Sequence, residues 1–321
     1  TTITGGRAPF TYTVQKGTDT PVSGGPANTS PTFTTSVSNA NADTYTFVIT
    51  DANGCPTTTS TTVSPITNPT VTATPTMVSC NAGTDGSVIL AGSGGSGGYM
   101  YSKDNVTFQA SGLFSDLTAS ATPYTFYVKD SKGCTGTVNV TITEPTALVV
   151  SASATAFSCD ATNVEQSAVV TIDVPTTGTS PYQYSFNGGA YSSVRTLTVN
   201  DNGADQTINY SVRDAKGCIT PGTAIILNRL NPPTIATITN TPIYCAPASS
   251  TTSTVTVPVT AGTGVAPLAY TIVSGPVTNT TGATTGVFSG LTAGTYVFRV
   301  TDDNGCYATK SHTVPALTPI A

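Results

Sequence analysis

Tyr45, Phe47 and Ile49 occupy every second position of the run TYTFVIT at residues 44–50. An apolar residue at alternate positions is the signature of a strand with one buried face. The same parity returns at Tyr124/Phe126/Val128, at Ile208/Tyr210/Val212 and at Tyr296/Phe298/Val300. Each run ends in Asp-x-x-Gly-Cys, as Asp51–Cys55, Asp130–Cys134, Asp214–Cys218 and Asp302–Cys306. Upstream of each, a Gly- or Pro-bearing turn leads into a shorter aromatic strand: GGRAPFTYTV at 5–14, GSGGYMYS at 95–102, GTSPYQYSF at 178–186 and GVAPLAYTI at 264–272. No apolar run approaches 18 residues, so the pattern contains no bilayer-spanning helix.

These landmarks define a repeat, with the late cysteines 79, 84 and 88 residues apart. Pro-bearing segments, SPITNP at 64–69, TEPTAL at 143–148 and NRLNPP at 228–233, separate the units. Proline fits a linker because a linker has no ladder hydrogen bond to lose. The boundaries expected are 1–66, 67–146, 147–230 and 231–321. Each full unit has room for about seven strands, which predicts an Ig-like or fibronectin-III-like β-sandwich. The first unit lacks opening strands and an early cysteine, so the sequence is expected to start inside a repeat of a longer protein. Short Pro-bearing linkers predict units set end to end as a rod on the order of 120–160 Å.

Composition narrows the function. Charged residues are 8% of the chain, and the formal net charge is −5. Eleven Lys and Arg over 321 residues provide no cationic footprint for nucleic acid. Roughly one residue in five is Thr, which favours strands and keeps a surface soluble without charge. Low net charge and regular alternation argue for a folded chain over a disordered one.

Seven cysteines raise the question of disulfides, which persist in an extracellular setting. The simplest pairing is within units: Cys80–Cys134, Cys159–Cys218 and Cys245–Cys306, with Cys55 unpaired. Against it, the early cysteine of a fibronectin-type sandwich sits at the first hairpin and the late one at the last. Those hairpins lie at opposite poles, roughly 30 Å apart, whereas a disulfide needs Cα atoms about 4.4–6.8 Å apart. A staggered pairing, Cys80–Cys218 and Cys159–Cys306, staples neighbouring units instead. Free thiols are the third alternative, and the sequence leaves all three open.

Other chemistry is sparse. Asp51, Asn53, Asp130, Asp214, Asp302, Asp303 and Asn304 are weak Ca²⁺ candidates, because each turn offers one or two carboxylates where calcium takes six to eight oxygens. A hairpin turn, with Asp bonding the local backbone, accounts for the same residues. Tyr101, Tyr182, Tyr184, Tyr191 and Tyr307 are candidates for exposed sugar-stacking rings; core or edge packing is the alternative. His312 is the sole histidine, so a His-based relay or metal centre has no second imidazole. No nucleophile elbow, phosphate loop or metal-helix motif is present, and neither catalysis nor a cofactor is expected. Asn-x-Ser/Thr strings begin at Asn28, Asn105, Asn139, Asn209 and Asn279, at a frequency that a Thr-rich chain produces by chance.

The quoted elements resemble a known repeat family. Gly-Gly-x-x-Pro-Tyr-x-Tyr, Leu-x-Ala-Gly-Thr-Tyr-x-Val-x-Val, Asp-Ala-Asn-Gly-Cys and a strand ending near Glu-Pro are similar to the SprB-type repeats of giant Bacteroidota cell-surface adhesins. DANGC at 51–55, LTAGTY at 291–296 and TITEP at 141–145 match most closely. The chain departs in having no Trp, in carrying LTVNDNGADQTINY at 197–210 in place of the usual loop, and in placing Leu268 where Tyr is usual. The resemblance implies a stalk at the cell surface, exported by type IX secretion. Its partners would be gliding and secretion machinery at the outer membrane, with polysaccharide or a solid surface bound through the parent protein. Two rival readings remain at this stage: repeats that themselves bind polysaccharide or solid surfaces, and accessory domains of a secreted enzyme.

Overall fold

The computed structural model describes residues 2–25, 27, 29–30, 32, 42–244 and 251–317. Asn28 and Cys245 lie outside the described residues. Among the described residues the regular elements are all strands, and no helix is long and apolar enough to cross a membrane. Two compact units, Thr1–Glu144 and Pro145–Ala321, divide the chain.

In the first unit, the opening repeat contributes one antiparallel sheet in the order β2 (Val22–Ser23), β1 (Thr11–Lys16), β3 (Asp43–Thr50) and β4 (Pro56–Val63). The second repeat is a sandwich. One sheet runs β5 (Pro69–Thr76), β6 (Gly86–Gly94), β8 (Leu113–Leu117), and the other runs β7 (Met100–Ser102), β9 (Tyr124–Lys129), β10 (Thr135–Val140), with β9 central.

The second unit holds the third and fourth repeats. The third pairs β11 (Ala152–Ala154), β14 (Ala168–Ile172) and β16 (Thr196–Val199) in one sheet, and β15 (Gln183–Phe186), β18 (Tyr210–Arg213) and β19 (Ile219–Pro221) in the other. Two short ribbons accompany them, β12 (Ser158–Cys159) with β13 (Glu165–Gln166), and β17 (Gln206–Ile208) with β20 (Ile225–Leu227). In the fourth repeat, β21 (Thr239–Asn240), β22 (Ser253–Thr256) and β24 (Val287–Leu291) face β23 (Ala269–Ser274), β25 (Gly294–Thr301) and β26 (Tyr307–Val314). Every complete repeat therefore has the first, second and fourth main strands in one sheet and the third, fifth and sixth in the other. This is the Ig-like arrangement, with six main strands among the described residues of each repeat where about seven were expected.

Alternation places the core. Phe126 and Val128 are fully buried, as are Tyr296, Phe298 and Val300, while their odd-parity neighbours are not. Each such side chain contributes about 1.5–3 kcal/mol by leaving water. Tyr124 and Tyr296, at the start of the central strand, donate their hydroxyls to the carbonyls of Thr118 (3.1 Å) and Thr292 (2.9 Å). A tyrosine bonded back across the preceding corner is a recurrent brace of Ig-like sandwiches. The third repeat has Ile208 at this position, and its longer loop takes a different role described below. Outward faces carry threonine pairs, Thr44 with Thr62 and Thr295 with Thr313, in hydrogen-bond contact across neighbouring strands. Such pairs stabilise a sheet by roughly 0.2–1 kcal/mol each.

Candidate functional site

The Asp-x-x-Gly-Cys turn folds the same way four times. The Asp N–H donates to the Cys carbonyl, and the Gly N–H donates to the Asp carbonyl, at Asp51, Asp130, Asp214 and Asp302 alike. The carboxylate Oδ1 accepts the Cys N–H at 2.9–3.0 Å in each copy. Oδ2 reaches the loop before the third main strand, accepting the N–H of Arg7, Ser96, Thr179 and Val265 respectively. The Asp therefore ties the last hairpin to that loop. These charge-assisted bonds are the strong kind, and they hold Asp51 and Asp130 below the usual carboxylate range: Cys55 N–H is the largest cause at Asp51, and Ser96 N–H at Asp130. Both oxygens of each Asp are thus engaged by backbone, which assigns these residues the turn role. No cluster of three or more His, Cys, Asp or Glu side chains suited to a metal occurs among the described residues.

At the junction of the third and fourth repeats, Cys159 is disulfide-bonded to Cys306, with a Cα–Cα distance of 4.8 Å and a sequence separation of 147. Cys159 lies between the first and second main strands of its repeat, and Cys306 between the last two of the next. Cys306 is fully buried, packed in the third repeat's core with Phe157, Ile208, Leu227 and Leu230. Around the bond, the Cys159 N–H donates to the Asn304 carbonyl at 2.8 Å. The Tyr307 N–H donates to Asn163 Oδ1 at 2.7 Å.

Asn163 stands in a turn that copies the one opposite it. The Asp160 N–H bonds the Val164 carbonyl, and Asp160 Oδ1 accepts the Val164 N–H. Asn163 (φ 66°) takes the left-handed position that Gly305 (φ 81°) takes in the partner turn. A Cβ on Gly305 would come within 2.8 Å of the Cys159 carbonyl oxygen, so only glycine allows this approach.

The linker between these repeats is braced by the unusual loop of the third repeat. Asp201 Oδ2 accepts the Leu230 N–H (3.0 Å), and Asp205 Oδ1 accepts the Arg229 N–H (3.0 Å). The Arg229 guanidinium donates to the Gly203 carbonyl (3.3 Å). Leu230 is buried in the third repeat's core. Beside the linker, an open cleft of about 460 Å³ is lined by residues of β11 and β20 together with Val265 and Asn304 of the fourth repeat.

The structure corrects several expectations. Within-unit pairing fails: Cys134 is free, and Cys159 and Cys306 bond each other, so Cys80–Cys134, Cys159–Cys218 and Cys245–Cys306 do not form. Opposite poles of one sandwich separate the early and late hairpins, while the next sandwich presents its last hairpin at the junction. Cys80 and Cys218 are each disulfide-bonded. Cys55 is free and exposed. Among the tyrosines, Tyr101 and Tyr184 are core residues. Tyr182, Tyr191 and Tyr307 are half-buried: the first donates to the Thr177 carbonyl, and the other two lie under the guanidinium groups of Arg213 and Arg299. These five rings form no exposed stacking platform. His312 Nε2 contacts Asn240 Oδ1 at 3.0 Å in the fourth repeat, a structural role between β26 and β21.

No family model matches the chain, and no curated protein matches it. Among solved structures, it is similar to the extracellular domain of protocadherin GammaB4 (13% identity over 95% of this chain and 58% of that one, TM-score 0.26). It is also similar to domains 1–6 of the surface layer protein SbsC (15% identity, 98% and 51% covered, TM-score 0.25) and to immunoglobulin domains 1–5 of Sidekick-1 (8% identity, 96% and 72% covered, TM-score 0.26). The chain thus spans little more than half of the first two. The likeness is one of tandem all-β domains, and the fold class follows from the strand order above.

Proposed function

We propose that this chain is a stalk segment of a large secreted cell-surface adhesin of the SprB type, projecting a binding tip and transmitting tension. The observation that carries this reading is the junction at Cys159–Cys306, where one repeat is bonded to the next and completes its core. A hinge between independent binding modules has no use for such a seam, whereas a tension-bearing element does. Disulfides suit an oxidising, extracellular setting. In this reading polysaccharide or a solid surface is gripped elsewhere in the parent protein, and gliding and secretion machinery engages it at the outer membrane. The half-buried tyrosines favour this over repeats that themselves bind sugar.

The test uses living cells of the source organism, labelled with a monovalent antibody fragment against this segment and followed by fluorescence. Label that travels along the cell body supports a motor-driven adhesin stalk. Label fixed in place removes the gliding component, and label absent from the cell surface removes the adhesin reading.

A further inference from the structure

We propose that the Cys159–Cys306 bond makes the third and fourth repeats a single force-bearing block, carrying tension across their junction while both cores stay folded. The bond closes a loop over a sequence separation of 147. With tension applied just before β11 and after β26, the covalent path runs through the two sulfurs, so once β11 and β26 have come away from β14 and β25 the enclosed chain need not unfold. That enclosed chain supplies most of both cores, including Val170, Val212, Phe288, Phe298 and Val300. Of the main strands of this unit, only β11 and β26 lie outside the loop. β11 is held to β14 by three residue pairs and β26 to β25 by eight, so extensibility is confined to two edge strands.

The surroundings of the bond suit that role. Cys306 is fully buried, and Cys159 is partly buried against the same core, two residues after the 1% exposed Phe157. The two facing turns and the Tyr307–Asn163 hydrogen bond hold the sulfurs in register. The inference needs only the bond and the path of the chain, so it stands or falls separately from the adhesin reading.

The experiment pulls the full chain between a click-reactive amino acid placed at the exposed Ala147 and a second at the C-terminus. In the oxidised protein, extension is expected to stop once the segments 147–158 and 307–321 are drawn out. In the Cys159→Ser/Cys306→Ser variant, a further extension of about 500 Å is expected, from ~3.4 Å for each enclosed residue. To guard against a variant that fails to fold, the wild-type molecule is also held at constant force while a phosphine reductant is introduced. A gain of about 500 Å on reduction is expected there. An oxidised molecule that releases the full length before reduction, or one that gains no length after it, overturns the proposal.

Discussion

Cys306 belongs to the fourth repeat by sequence and to the third by packing: its sulfur is bonded to that of Cys159, and its side chain is fully buried against the third repeat's Phe157 and Leu227. The third repeat is thus not a self-sufficient bead: its early hairpin is finished by the late hairpin of the fourth, so these two repeats share core as well as covalent structure.

Breaking that bond is expected to destabilise the junction by about 2–5 kcal/mol, toward the upper end because the closed loop is long. Cys159→Ser tests this with the least disturbance of packing, since Cys159 is only partly buried. Tyrosine fluorescence during denaturant unfolding, with no Trp to interfere, should show a transition at lower denaturant than in wild type. An unchanged midpoint would mean that the bond constrains nothing.

Thiol reactivity should follow the same map. Iodoacetamide applied to the native, unreduced protein is expected to modify Cys55 and Cys134, which are free, with Cys55 faster because it is exposed. Cys159 and Cys306 should react only after reduction in denaturant. Labelling of Cys306 under native, non-reducing conditions would contradict the assignment.

Asp302 is 5% exposed, and its two oxygens accept the N–H groups of Cys306 (2.9 Å) and Val265 (3.3 Å). Asp302→Ala removes both bonds and leaves two backbone donors without that partner, so a loss of about 1.5–3 kcal/mol is expected. Asp19→Ala, at an exposed position, is the control and should change little. Equal effects at the two sites would argue against the brace.

Acid should weaken the fold in two windows. Asp104 is held down to about 2, first by the Val106 N–H and then by the Ser102 hydroxyl and the Thr107 N–H. Asp130 and Asp160 are lowered too, chiefly by the N–H groups of Ser96 and Val164. A carboxylate whose folded pKa is depressed adds stability above its unfolded value, near 3.9, and loses it as pH falls through the folded value. His312 is lowered from 6.5 by burial. It therefore favours the fold while neutral, and its contribution declines as pH drops below 6.5. Denaturant midpoints should be flat above pH 7, dip slightly below 6.5 and fall steeply below 4. His312→Gln should abolish only the first dip, and a midpoint that rises below pH 4 would refute the account.

Much of the fold was legible because its signals are local. The alternation at Tyr296/Phe298/Val300 marks the central strand, and Asp302 with Gly305 specifies a turn within five residues. What escaped depends on placement in three dimensions. Asn163 looks like any loop asparagine, yet it stands opposite Tyr307 across the junction. Asp201 and Asp205 sit in a stretch that breaks the repeat, and their role appears only once the linker at Arg229 and Leu230 lies beside them. Tyr101 and Tyr184 fall in short strands where sequence parity alone does not separate the inner from the outer face. The disulfide map was the hardest part, because all three alternatives satisfied the spacing. The polar separation of the first and last hairpins, a purely topological argument, weighed against the within-unit pairing that the structure excludes, without by itself selecting the staggered bond.

The central claim, that the early hairpin of the third repeat is covalently joined to the late hairpin of the fourth, is tested most directly by peptide mapping of the native protein under non-reducing conditions. The account predicts a linked peptide pair containing Cys159 and Cys306, with Cys134 found as a free thiol. Linked pairs joining Cys80 to Cys134, or Cys159 to Cys218, would contradict it.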